Sequence, residues 1–486
     1  MSAGAASPPP AGRPWCGAAW PWCFCSGAYG EISCKRLQQT PGRCLLQPFC
    51  EERPLTETYP KGYTILRKNK ETQGEKNRIF CNRFVSLLWR RRFTMTHSNP
   101  YTPGAGFMPS YLAGREGLIS HAEQSLLALQ KRYPQQSMIY YGLRGVGKTV
   151  LLNTIENSAE GYGILFDHIE ADSDGKFTQN LLVSLQRIAH EVSFQTTAKD
   201  FARRFLALLK AFRIQYKLEE GEVSFGVDPE AGFVSGVYSN DLTDLMTQLG
   251  KAAQSSGDTI CLFIDEMQYL RREEIAGLIV ALHRCNQLRL PIMAFCAGLP
   301  KILQEVEEAC SYAERLFQYE VVGPLKPEEA AAAITVPAED FEVAYDSAAV
   351  EHIIAQTGGY PYFIQQMCSS VWQVTPDKPT ITLEDVQEAE PKFWELLDKG
   401  FFAVRYQRCT PREKAFIAAM VKCGKLPCTI ANVAKLMNKS VSSISPIRAQ
   451  LISKGMIYPT SHGEIDFTVP QFDAYVRRIN PNLEME

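Results

Sequence analysis

The sequence predicts an α/β protein: a parallel sheet flanked by helices, then an all-α lid, then a small terminal unit of helices and two strands. Three observations carry this. Short apolar runs alternate with helical periods from Tyr111 to Val322, helical spacing alone follows Pro324, and from Thr410 the order is helix, helix, helix, strand, strand. Strands separated by helices pair in parallel, because a crossover helix returns the chain to the same end of the sheet. The 486 residues suffice for roughly two to four domains with cores of their own.

The elements follow in order. Ser137–Tyr141 is a short apolar strand running into a glycine loop, and Thr149–Ser158 has helical spacing. Gly163–Asp167 is a second strand. Phe177–Val192 and Lys199–Tyr216 repeat apolar residues as a helix with one buried face does. The polar stretch after Tyr216 alternates briefly at Val223, Phe225 and Val227 and reads as a hairpin or a loose loop. Leu242–Ala253 is a helix, Thr259–Asp265 ("TICLFID") a buried strand, Glu273–Cys285 a helix, Ile292–Cys296 a strand, and Tyr319–Val322 ends the alternation. Helices are expected over Pro327–Thr335, Ser347–Gln356, Tyr362–Gln373 and Leu383–Leu397. Thr410 then caps a helix with Pro411 at its first position, where a missing N–H costs nothing. The expected domains are 95–325, 326–400 and 401–486.

The net charge of −2 hides an asymmetry. Residues 1–94 hold 15 Lys/Arg against 6 Glu, with no Asp or His, and 7 of the 15 Cys. Residues 95–400 sum to −17 and residues 401–486 to +6. Cys16, Cys23 and Cys25 have no C-x-x-C pair and no His, so the spacing does not suit zinc. A targeting peptide fits the Arg content but not the Cys and Trp density. We read residues 1–94 as a disordered segment or a non-native upstream extension, in the latter case with the natural chain expected to begin at Met95. The later cysteines are scattered, as in reduced thiols of a cytoplasmic protein. The longest apolar runs fall well short of the ~18 residues of a membrane span, so no membrane partner is expected.

Gly142-Leu143-Arg144-Gly145-Val146-Gly147-Lys148-Thr149 fits G-x-x-x-x-G-K-[ST] between a strand and a helix. Glycines let backbone N–H groups close around phosphate oxygens, and the helix dipole points at the same charge. Lys148 would neutralise the β- and γ-phosphates and the Thr149 hydroxyl would ligate Mg²⁺. The expected ligands are ATP and Mg²⁺, on a P-loop NTPase core. "CLFIDEMQYL" supplies the second half: Asp265 at a strand end for the metal, Glu266 to polarise the attacking water.

Through "NPYTPGAGFMPSYLAGREGLI", "GLRGVGKT", "CLFIDEMQ", "FCAGLP", "YAERLF" and "TGGYPYFIQ", the chain from Asn99 onward resembles bacterial AAA+ ATP-binding proteins of the Orc1/Cdc6-like and STAND-like group. The resemblance implies that Gly114, Arg115 and Glu116 lie beside the adenine. It implies that Arg315 is an arginine finger reaching a neighbouring subunit's γ-phosphate, hence a homo-oligomer. Gly359 and Pro361 match the element through which the lid touches the base. The chain departs from the group twice. "PIMAFCAGLP" has Gly298 near the place of a first γ-phosphate sensor, and the lid has Gln365 and Gln366 where a second-sensor Arg is expected. Both departures imply slow hydrolysis, because fewer groups stabilise the developing charge.

The order after Thr410 is that of a winged helix. Ser442, Ser443 and Ser445 with Arg448 suit a recognition helix in the major groove of double-stranded DNA, and Lys435, Lys439, Lys454 and His462 suit its phosphates. Winged helices also bind proteins, and Pro446 is expected in the helix's first turn, where it is tolerated. The function expected is an ATP-dependent switch, a slow ATPase coupling ATP state to DNA or partner binding. The alternative is a non-hydrolysing ATP-binding scaffold or signalling regulator acting on proteins. A third reading places the basic, aromatic first segment at a membrane.

Overall fold

The computed structural model describes residues 98–194, 199–216, 235–311, 313–376, 378–461 and 463–481. The upstream segment, the alternation at Val223–Val227 and His462 lie outside them.

Five strands form one wholly parallel sheet: β1 (Ser137–Tyr141), β2 (Leu165–Glu170), β3 (Ile260–Asp265), β4 (Ile292–Gly298) and β5 (Phe317–Val321), ordered β2-β3-β4-β1-β5. The central strands are apolar on both faces because helices cover both, and successive side chains alternate between them. Cys261 and Phe263 of β3 and Met293, Phe295 and Ala297 of β4 join α1 (Glu116–Gln130) and α2 (Lys148–Gly161) in one cluster. Ile260, Leu262 and Ile264 with Ile292, Ala294 and Cys296 join the opposite cluster. That cluster holds α3 (Phe177–Phe194), α4 (Lys199–Gln215), α5 (Tyr238–Ser256), α6 (Arg272–Gln287) and α7 (Ile302–Ala309). Helices α1 and α7 were not named from the sequence.

The lid holds α8 (Pro327–Glu339), α9 (Ser347–Thr357), α10 (Pro361–Val374) and α11 (Leu383–Leu396). It is not wholly helical: β6 (Ala344–Tyr345) pairs in parallel with β7 (Thr380–Ile381). Two-residue strands show no periodicity in sequence. A segment assigned to the α/β domain is also stitched to the lid. Asn99 Nδ2 donates to Ser369 Oγ at 2.8 Å, the Tyr101 hydroxyl donates to the Ile334 carbonyl at 2.5 Å, and the Tyr101 ring meets Trp372 edge-on at 5.9 Å.

A π-helical stretch, Leu397–Phe402, leads from α11 into α12 (Ala403–Gln407). The chain continues through α13 (Pro411–Lys422), β8 (Cys428–Thr429), α14 (Ile430–Leu436), α15 (Val441–Ser453), β9 (Ile457–Ser461), β10 (Glu464–Phe467) and α16 (Phe472–Ile479), with β8-β10-β9 antiparallel. Thr410 caps α13 reciprocally with Glu413, whose carboxylate accepts the Thr410 N–H at 2.7 Å. Lid and terminal unit share one core: Phe363, Phe393, Phe402, Phe416 and Phe472 lie in a single buried cluster. Pro446 is not in the first turn of α15, which begins at Val441. It lies inside the helix and leaves the carbonyl one turn earlier without its N–H partner. Among the described residues no helix is long and apolar enough to cross a membrane.

Candidate nucleotide site

The glycine loop joins β1 to α2. A side chain at Gly142 would bring Cβ to 2.0 Å from the Val322 carbonyl, so only glycine lets β1 turn beside the end of β5. Gly147 caps α2 with φ +91°, which L side chains avoid. Lys148 is buried, and its ammonium donates to the Gly142 and Leu143 carbonyls at 3.0 Å each. Burial lowers its pKa, opposed by Glu266 and Asp265. Arg115 pins the loop from outside. Its guanidinium donates to the Val146 carbonyl at 3.1 Å and the Gly323 carbonyl at 2.5 Å, and burial lowers its pKa.

The Thr149 hydroxyl donates to Asp265 Oδ2 at 2.6 Å, and the other oxygen of this buried carboxylate accepts the Glu266 N–H at 2.7 Å. A hydroxyl and one carboxylate suit a hard cation such as Mg²⁺ that takes its remaining oxygens from phosphate and water. Among the described residues no cluster of three or more His, Cys, Asp or Glu could hold a metal without them. Glu266 has φ +53°, a conformation that costs a non-glycine residue roughly 1 kcal/mol or more. Its carboxylate accepts a hydrogen bond from the Gln268 amide and lies 3.9 Å from Arg144 Nη1. Gln268, which no sequence motif marks, is buried and accepts the Leu299 N–H at 2.8 Å. A Cβ at Gly298 would stand 3.1 Å from its Oε1, so the Gln268 amide lies against the place where a first sensor was sought.

These groups border a cavity of about 800 Å³. Residues 102–107, 109 and 111–113 form one side. The lid contributes Pro361, Tyr362 and Gln365, and the terminal unit Phe401, Arg405, Arg408 and Lys454. The charged lining comprises six Arg or Lys and a single Glu, which selects an anionic ligand. Backbone bonds tie the walls together: Tyr362 N–H donates to the Gly145 carbonyl at 3.3 Å, and Arg144 N–H to the Thr468 carbonyl at 3.1 Å.

Arg144 to Thr149, Arg115, Glu266 and Pro361 thus meet at one cavity, with Asp265 behind Thr149. The other expected residues lie elsewhere or make other contacts. Glu116 is exposed at the first turn of α1 and does not line the cavity. Arg115 lines it, but with a guanidinium already engaged by three carbonyls, those of Gly114, Val146 and Gly323. Lys454 is not turned outward for DNA: its ammonium bonds Glu413 Oε2 at 2.6 Å and the Arg408 carbonyl at 3.1 Å at the cavity edge. Arg448 is half-buried, and its Nε has no hydrogen-bond partner. Ser442 and Ser443 are exposed at the start of α15 with Ser445, while the Ser443 and Ser445 hydroxyls donate to backbone carbonyls. Arg315 is exposed in a short 3₁₀ turn and does not line this cavity. Beyond Gln268, Arg405 and Arg408 were not singled out from the sequence. Their only trace there is the positive charge of the last segment, since no motif places them at a site.

Cavity and sheet together define a P-loop ATPase domain. Residues 111–295 match the family model described as AAA ATPase domain, so the chain carries an ATPase domain of the AAA type. Residues 399–476 match Domain of unknown function (DUF8462). No curated protein matches the chain. Among solved structures, a Walker-type ATPase of Pyrococcus abyssi is 14% identical with TM-score 0.46, covering 75% of this chain and 96% of that one. Orc1 of Aeropyrum pernix, solved in complex with DNA, is 14% identical with TM-score 0.39, covering 78% and 95%. The Holliday junction branch migration motor RuvB of Thermotoga maritima is 15% identical with TM-score 0.36, covering 74% and 95%. Likeness this distant assigns neither activity nor partner.

Proposed function

We propose that the chain is an ATP-driven switch: Mg²⁺–ATP binds between the α/β core and the lid, slow hydrolysis resets the site, and the terminal unit carries the state to DNA. The observation that carries this reading is the basic cavity walled by the P-loop on one side and by lid and terminal unit on the other. Residues 142–149 would hold the phosphates, and Thr149 and Asp265 the metal. Bound Mg²⁺ would screen phosphate charge. Glu266, fixed by Gln268 and Arg144, would accept the proton of an attacking water. Arg315, exposed at the surface, would complete the site of a neighbouring subunit. The domains would be 95–325, 326–400 and 401–486, the last a winged helix with α15 as its reading helix.

Exposed Lys435 and Lys439, next to the exposed serines of α15, form the face offered to DNA. Each lysine that neutralises a phosphate should add about 0.9 to the slope of log affinity against log salt, and its removal should take that amount away. Binding of a duplex by Lys435→Ala/Lys439→Ala with an unchanged slope would remove this face from the reading. The second reading, a non-hydrolysing ATP-dependent scaffold, is favoured by Gly298 and Gln365 standing where charge-sensing groups were expected. Steady-state phosphate release separates the two. Unequal rates for the unaltered chain and Glu266→Gln support hydrolysis, and equal rates sink it.

A further inference from the structure

We infer that Arg405, seconded by Arg408, reads the terminal phosphate of a nucleoside triphosphate from the C-terminal side of the cavity, within the same chain. This deepens the nucleotide reading above and rests on it.

Both arginines line the cavity facing the glycine loop. Among the described residues no carboxylate lies within ion-pair distance of either, whereas Arg144 has Glu266 and Lys454 has Glu413. Arg405 is nevertheless held in place. Its Nη1 donates to the Phe401 carbonyl at 2.5 Å and its guanidinium lies 4.0 Å over the Phe401 ring. That ring stacks on Tyr362 at 4.8 Å, and Tyr362 N–H donates to the Gly145 carbonyl. A continuous packed path therefore runs from the phosphate loop through Tyr362 and Phe401 to Arg405. The π-helical stretch Leu397–Phe402 immediately precedes it. Such stretches shift the side-chain register of everything that follows and recur at functional sites.

Electrostatics agree with the geometry. Burial, and next the nearby Arg144, lower the Arg405 guanidinium to about 10. It stays charged at neutral pH but disfavours its neighbours until an anion arrives. A triphosphate brings one phosphoryl group more than a diphosphate, and a planar guanidinium is suited to grip it. Gln365, which lines the cavity from the lid, carries no charge with which to do so. A nucleotide-facing role would thereby fall to residues within 399–476, the region matched by a domain of unknown function.

The test is calorimetric titration of the full chain with Mg²⁺–ATP and with Mg²⁺–ADP, unaltered and as Arg405→Ala, Arg405→Lys and Arg408→Ala. For Arg405→Ala, ATP affinity should fall about 10-fold, as expected when one charge-assisted hydrogen bond is removed, with ADP affinity within about 2-fold. Arg405→Lys should recover part of the ATP affinity, and Arg408→Ala should weaken ATP less. If Arg405→Ala does not fold, Arg405→Gln, which can still donate to the Phe401 carbonyl, is read in its place. Equal weakening of ATP and ADP, or none, overturns the inference while leaving the nucleotide reading intact. No binding of either nucleotide by the unaltered chain overturns both.

Discussion

On the core wall of the cavity, Arg144 to Thr149 are consecutive residues, and Lys148 is buried and satisfied by loop carbonyls. The facing wall is assembled from Tyr362 on the lid, Phe401 within the π-helical stretch, Arg405 after it, and Lys454 at the end of α15. Its arginines are less buried and have no carboxylate partner among the described residues. In the proposed reading the difference divides the labour: the core wall would hold phosphate, and the facing wall would respond to it. Preorganised contacts set affinity, whereas a responsive wall with differential contacts to two ligand states shifts a population.

The largest expected effect breaks the core wall's chemistry. Glu266→Gln keeps shape but removes the base, so phosphate release should fall roughly 10²–10⁴-fold while ATP affinity stays within a few-fold. Single-turnover phosphate release checks it. Lys148→Ala should weaken Mg²⁺–ATP on the order of 100-fold by titration, since it deletes a charged donor from a buried site. It should weaken ADP as well, because Lys148 serves the β-phosphate too. Arg405→Ala should cost ATP alone, about 10-fold, and this contrast with Lys148→Ala sharpens the comparison.

The smallest effect concerns how the facing wall is anchored. Burial raises the Glu413 carboxyl, but hydrogen bonds from Lys454 and Thr410 outweigh it, leaving the group below its ordinary value. A carboxylate depressed in the folded state stabilises fully above its unfolded pKa of ~4.3, and that contribution is lost as pH falls through the folded value. The thermal midpoint of the full chain should therefore drop below about pH 4, and less steeply in Glu413→Gln. Parallel pH profiles for the two would count against the Lys454–Glu413 pair as an anchor.

Legibility in the sequence follows the same divide. The P-loop and the Asp265–Glu266 pair were readable because their chemistry needs adjacent residues: strand, glycines, Lys and Thr in one run. The sheet was readable because Ile260–Asp265 and Ile292–Gly298 must be apolar on both faces. Arg405 is not readable, since no motif marks it and its place at the cavity depends on how Phe401 packs on Tyr362 of another element. Lys454 was misplaced because exposure at the end of a helix looks the same in sequence whether the side chain meets solvent or Glu413. Gln268 carries no sequence signal because its placement depends on Gly298, at the end of β4 and distant in sequence.

Hydrogen exchange on Glu266→Gln, saturated with Mg²⁺–ATP and separately with Mg²⁺–ADP, tests the coupling of the two walls most directly. Amides in 144–149 should be protected by both nucleotides. Those in 400–408 and 453–456 should be protected more by ATP than by ADP. Protection confined to 144–149, or identical on the facing wall for the two nucleotides, would contradict a terminal unit that responds to nucleotide state.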